Sequence, residues 1–530
     1  MKPRLFVLLA AFALPAAASV DLTIRTTFWD VPILGAGRSF TLAVIAENFG
    51  TEASPATAAV PLPPGSTYVR NDGTPWRCSS SGDNVVCSGT LGPGQAALLQ
   101  LVAAAPLSED GFHFVADATI EGPLPDANPR DNKETFYLNG WCELRVDSAG
   151  DNGAGSLRDV LDQANEHCVG GVPCRLTFTS PMTIQPQTPL PAIRGCGLFI
   201  DAGTEGVDRF QDFSHPRRVK ISGANVDRGN GLEIRSTCSA ANLVANIPEV
   251  TLRGLAINGF PEDGVLIAPD VRASVNVTGC FIGTDATGMR AVPNRWRGIS
   301  FESPGAGGSI GNSIVSGNGR SGISIWSGEA ASVYATLIGV SAAFGVLGNG
   351  ASGIFTNSGT LTADYNVIAA NGQFGVAVGG GAVRAVIENN SVHDNGGIGV
   401  DWGLDGPSAF DPSGRVPPTP RLIDAFYDAA RDVTVVHGVL PIPPATRQFI
   451  SGYGVEPYES GPTSAGYGGD EPLPGRFIVI PDKNAAEAPF TIELQHDHRG
   501  RTITAQAVSY SFFDLPPLDS SEFSAPLLVP

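Results

Sequence analysis

Short bursts of alternating apolar and polar residues run through most of the chain. Residues 39–48 and 97–103 alternate in this way, and a strand with one buried face has that period. Turn-forming clusters separate the bursts: Leu62-Pro63-Pro64-Gly65, Asn71-Asp72-Gly73 and Leu91-Gly92-Pro93-Gly94. The spacing predicts a β-sandwich over residues 20–139. Cys78 and Cys87 flank the turn Ser81-Gly82-Asp83-Asn84, so a disulfide across a hairpin is expected there.

One segment has a helical period. Leu157, Val160, Leu161 and Ala164 fall on one stripe, and Ser156 with Asp159 three residues later forms a capping-box pattern. A longer repeat follows. Asn-x-x-x-Gly-(Ile/Val) recurs at Asn294–Gly298, Asn318–Gly322, Asn349–Gly353, Asn371–Gly375 and Asn395–Gly399. The steps are 24, 31, 22 and 24 residues, and looser copies lie at Gly231 and Gly264. A β-rich unit of this length fits one coil of a parallel β-helix, in which stacked coils bury each other's apolar faces. Ile299, Ile323, Ile354, Val376 and Val400 share one phase and are expected to form an inward column. The longer units carry loops at residues 284–292 and 340–347. The Pro-rich stretch 416–420 ends the repeat. Alternation at 432–439, 476–480, 490–494 and 502–508 then predicts a second sandwich.

Composition sharpens this picture. Gly (65) and Pro (42) are abundant in the 530 residues, as many tight turns require. The net charge of −19 disfavours phosphate backbones, so no nucleic-acid partner is expected. Lys2 and Arg4, the apolar run 5–14 and Ala16-Ala17-Ala18 read as a cleaved signal peptide over residues 1–19. This implies a secreted or cell-surface protein without a membrane span. The 8 cysteines suit such a compartment. Cys142, Cys168, Cys174, Cys196, Cys238 and Cys280 leave 15 pairings open.

The segment 155–161 (Gly-Ser-Leu-Arg-Asp-Val-Leu) carries a resemblance, together with Pro189-Leu190-Pro191-Ala192-Ile193, residues 281–288, residues 390–401 and the tail Ser520-Ser521-Glu522-Phe523-Ser524. With these the chain resembles exported bacterial right-handed parallel β-helix proteins of the CSLREA type. Gly155 replaces the eponymous Cys, and Asp159-Val160 stand for Glu-Ala. Asn48-Phe49-Gly50 and the Pro-Gly turns of the first domain resemble immunoglobulin-like repeats of bacterial surface proteins. The resemblance implies an all-β chain. The expected order is a pectate-lyase-like solenoid (140–415, with a capping helix) flanked by sandwiches at 20–139 and 416–530.

Candidate chemistry is sparse. No paired-aspartate or Gly-His-Gly motif of the polysaccharide-cleaving β-helices is found, and Lys220 is the sole lysine of the repeat region. His393, Asp394, Asp401 and Arg297 are the acid, base and cation candidates. Asp401, Asp405 and Asp411 are oxygen ligands of the kind Ca²⁺ takes; no other cofactor is expected. Gly307-Gly308-Ser309-Ile310-Gly311 lacks the helix that a nucleophile elbow requires. Trp296, Trp326 and Trp402 lie near repeated turns, where aromatic faces could stack on sugar rings. The expected role is non-catalytic adhesion or glycan binding, with glycans or cell-surface components as partners. The alternatives are a polysaccharide lyase or other carbohydrate-active enzyme, and a structural spacer.

Overall fold

The computed structural model describes residues 19–28, 33–73, 75–108, 110–168, 172–194, 197–203, 209–235, 250–272, 274–327, 330–407, 416–442, 452–460, 468–469, 471–480, 485–510 and 519–530. The signal segment 1–18, Asp411, Cys196 and Cys238 lie outside the described residues. The chain is nearly all-β and divides into two compact units, 1–142 and 143–530.

In the first unit an antiparallel sheet orders strands Leu22–Phe28, Ser39–Asn48, Ala96–Ala104 and Thr67–Asn71. A second antiparallel array includes Asp110–Glu121, Ser54–Pro61, Asn84–Leu91 and Arg77–Ser81. Leu42, Val44, Leu99 and Leu101 join Ala58, Val60, Val85 and Ile120 in one core, as in a sandwich. Cys78 and Cys87 are directly opposite in neighbouring strands and are disulfide-bonded. Asn48 is fully buried and explains its own motif. Its Nδ2 donates to the Glu52 and Leu91 carbonyls, and its Oδ1 accepts from the Gly50 N–H. A buried amide is tolerated only when satisfied in this way.

The second unit begins with the helix Leu157–His167. The Ser156 Oγ accepts from the Asp159 N–H, and Asp159 accepts from the Gly155 N–H, so two otherwise unpaired donors are answered. Leu157, Val160, Leu161 and Ala164 are its buried stripe. The chain then contributes strands in rotation to three parallel sheets. The first runs from Cys174–Phe178 to Ala382–Glu388, and the second from Met182–Ile184 to Ser391–His393. The third holds Leu232–Ile234, Val265–Ile267, Ile299–Phe301, Ile323–Ile325, Ile354–Thr356, Val376–Val378 and Val400–Trp402. Ile299, Ile323, Ile354, Val376 and Val400 pair in successive register and are fully buried. Ser309 lies inside the strand Gly308–Gly311, so its Gly-x-Ser-x-Gly setting is a strand rather than a strand-to-helix turn.

The repeated asparagines form a ladder at the turn before the third sheet. Each Nδ2 donates to the next Oδ1: Asn294 to Asn318 and Asn318 to Asn349 at 3.0 Å, Asn349 to Asn371 and Asn371 to Asn395 at 2.9 Å. Each also reaches a strand carbonyl of an earlier circuit, such as that of Val315 for Asn349. The glycine four residues on leaves no room for a side chain. A Cβ at Gly353 would lie 2.6 Å from Ile368 and 2.8 Å from the Gly375 carbonyl.

After residue 416 two antiparallel sheets pack together. One holds Arg421–Asp428, Val433–Pro441 and Glu487–Gln495; the other is built on Gly452–Ser460 and Thr502–Tyr510. Val436, Leu440, Tyr453, Val455, Ile492 and Ile503 are in their core. The tail meets the last strands of the parallel sheets. Ser520 N–H donates to the Ala385 carbonyl; Asp519, Ser520 and Glu522 side chains accept from the N–H groups of Ala385, Ile387 and Trp402. Ser520, Ser521, Glu522 and Ser524 are buried.

Of the remaining cysteines, Cys168 and Cys174 are disulfide-bonded. Cys280 is a fully buried thiol, pushed up to about 11 by burial. Among the described residues no helix is long and apolar enough to cross a membrane.

Candidate ligand-binding face

The outer side of the third sheet and its flanking turns bring together aromatic and charged side chains. Inward residues alternate with a row on the opposite side, of which Glu233, Leu266 and Phe355 are half-buried while Ser300, Ser324, Ala377 and Asp401 are themselves covered. Turn residues flank this row. Arg297, one position before its repeat glycine, is mostly buried and fully engaged. Its Nε lies 3.3 Å from the Asp263 carboxylate, and its Nη1 lies 3.2 Å from Glu302 and 2.5 Å from the Ser300 hydroxyl. Its backbone N–H also donates to Asp263 at 2.8 Å. Burial nevertheless pushes the Asp263 carboxyl up to about 6, so desolvation outweighs the neighbouring guanidinium.

Aromatic rings lie beside this cluster. Trp326 is 48% exposed and tilts against Phe355, with ring centroids 4.8 Å apart. The Arg297 guanidinium carbon is 6.0 Å from the Trp326 ring. Trp296 is 37% exposed, and Arg320 of the next circuit sits over it at 5.5 Å. The arrangement offers flat apolar surfaces bordered by hydrogen-bond donors. It offers no free cation at Arg297 and no exposed carboxylate at Asp263.

Trp402 is placed differently. Its indole N–H donates to the Ser520 carbonyl and its backbone N–H to Glu522, beneath the tail. The repeat phase contains the reason. Trp326 is four residues past its glycine and Trp402 three, and a one-residue shift in a strand exchanges inner and outer faces.

His393 belongs to the second sheet, and its Nδ1 is 2.9 Å from Asp394. Arg297 sits four repeat steps earlier, roughly 19 Å along the strand-pairing direction at ~4.8 Å per step. The acid, base and cation candidates are therefore not one constellation. Asp401 is buried, accepts from the Gly406 N–H, and is raised by that burial. It ties down the turn containing Asp405. Among the described residues the group able to gather around a metal is instead Asp21, Asp126 and Asp131, whose ligand atoms lie within 4.8 Å of one another. Sequence reasoning missed Asp263, Glu302 and Phe355. Their offsets from Gly264, Gly298 and Gly353 would have placed all three on or beside the outer row.

No family model and no curated protein matches the chain. Among solved structures, the CARDB domain of the PF1109 protein of Pyrococcus furiosus, in complex with di-metal ions, is 18% identical with a TM-score of 0.17; the match covers 23% of this chain and 89% of that one. The ASH/PapD-like domain of human CEP192 is 18% identical with a TM-score of 0.16, over 26% and 96%. A calcium-binding mutant of Bacteroides uniformis beta-glucuronidase 2 is 6% identical with a TM-score of 0.15, over 96% and 61%.

Proposed function

We propose that this chain is an exported, non-catalytic glycan-binding protein of the bacterial surface. In this reading residues 140–415 are a right-handed parallel β-helix of the CSLREA type, and the first sandwich is immunoglobulin-like. The observation that carries the functional part is the exposed Trp326 ring braced on Phe355 beside Arg297. A large aromatic left half in water at the end of a parallel strand suits the C–H face of a pyranose, and Trp296 with Arg320 adds a second ring. Binding favours neutral or basic glycans, because the chain's −19 charge opposes anionic ones.

Isothermal titration of the exported chain with neutral and amino-bearing oligosaccharides tests this. Trp326→Ala is expected to weaken binding at least tenfold, with no new reducing or unsaturated ends after long incubation. Release of unsaturated uronic products from an acidic polysaccharide, lost in His393 or Arg297 variants, would establish the lyase reading instead.

A further inference from the structure

A pocket of about 430 Å³ lies in the second unit, away from the aromatic face, lined by Tyr365, Asn389, Glu456, Tyr458, Pro474 and Arg476 among others. That volume is in the ~300–1,000 Å³ range of small-molecule sites. Two features point to an occupant. The first is an aromatic shelf at the rim. Tyr365 is 50% exposed and meets Phe210, 60% exposed, edge to face at 5.8 Å. Gln211 sits beside the pair: its side-chain amide donates to the Tyr365 carbonyl, and its backbone N–H donates to the Asn312 Oδ1.

The second is a charge imbalance. Arg476 Nε donates to Glu456 at 2.8 Å, and its Nη2 reaches both Glu456 and Glu388, the latter at 2.8 Å. It also contacts the Tyr510 hydroxyl, and Tyr458 donates to Glu456. Asp364 acts on Glu388 and Glu456 electrostatically and is held by Asn389. Two carboxylates thus contact one guanidinium, and a third acts on them from nearby. Burial and the neighbouring acids push Glu388 up to about 7, against the pull of Arg476.

We propose that this pocket binds a pyranose-sized ring bearing a protonated amine, the ring lying on Tyr365 and the ammonium group directed to Glu456. A saturated ring suits the aromatic shelf, and its cation supplies the charge that the carboxylates lack. The site does not depend on the Trp326 face.

Titration calorimetry with glucosamine, glucose and N-acetylglucosamine tests it. Glucosamine is expected to bind at least tenfold more tightly than the two uncharged sugars. Tyr365→Ala, at an exposed position, and Glu456→Gln are each expected to weaken it at least tenfold, whereas Trp326→Ala leaves it unchanged. A glucosamine tetramer binding more tightly than the monomer assigns a polymeric source; equal affinity assigns the free sugar. Equal affinity for all three monosaccharides, or no change in Tyr365→Ala, overturns the proposal.

Discussion

Along the third sheet the first inward positions read Leu232, Val265, Ile299, Ile323, Ile354, Val376 and Val400, all buried. The outward positions one residue later read Glu233, Leu266, Ser300, Ser324, Phe355, Ala377 and Asp401. The same strands thus hold a uniform aliphatic column on one side and, apart from the Ser300–Ser324 pair, a row of unlike residues on the other. Stacking demands that each inward residue match the one above and below it. Nothing in the backbone pairing imposes such a match outside. Departures from the repeat are therefore where ligand-facing chemistry is found, and Arg297, Trp326 and Phe355 all depart from it.

Four experiments break or sharpen this contrast. Replacing Ile354 by Asp places an unpaired charge inside the column, and a loss of ~3–5 kcal/mol is expected in chemical denaturation. An unaltered midpoint would mean that the inner face tolerates charge as the outer one does.

The asparagine ladder comes next. Asn349 donates to Val315 and Asn371 and accepts from the backbone and side chain of Asn318. Asn349→Ala strands these buried partners, so a loss of about 2–4 kcal/mol is expected in the same measurement. A loss below ~1 kcal/mol would show that water replaces the amide.

The third experiment concerns pH. Glu388 and Asp263 have folded values raised to about 7 and about 6, above their ordinary 4.5 and 3.8. The folded chain then binds more protons than the unfolded one between roughly pH 4 and 7. Their stabilising contribution is present at the acid end and is lost as pH rises through the folded values. Stability is expected to fall by on the order of 1–3 kcal/mol across that window. Combining Glu388→Gln with Asp263→Asn should flatten the profile; an equally steep profile in that variant would assign the slope to other groups.

The smallest expected effect on folding is at the exposed ring beside the outer row. Trp326→Ala should change stability by less than ~1 kcal/mol while weakening glycan binding, because the ring is half in water. Thermal melts beside the titration check both parts.

Much of this organisation was legible in the residues. The Asn-x-x-x-Gly phase located the inward column because period-two strands leave no choice of face once register is set. Ser156 and Asp159 marked the helix, and the short turn between Cys78 and Cys87 brought strand neighbours together. Other features depend on distant chain. Trp402 is covered by residues 118–120 positions away, and Arg476 bridges Glu456 and Glu388 across 20 and 88 positions. No local pattern encodes such pairings. The strand Gly452–Ser460 was missed because its Gly and Pro weaken the alternation that marked its neighbours.

The way the tail meets the final strands has a consequence for self-association. A parallel strand laid on an edge answers one row of N–H groups and exposes another, so the pattern relays itself without limit. Here the acceptors for Ala385, Ile387 and Trp402 are the Asp519, Ser520 and Glu522 side chains, which offer no equivalent row beyond them. Those three N–H groups are satisfied without being propagated. A chain lacking residues 519–530 would present a template matched to other copies, and end-to-end polymers growing with protein concentration are its expected signature in light scattering.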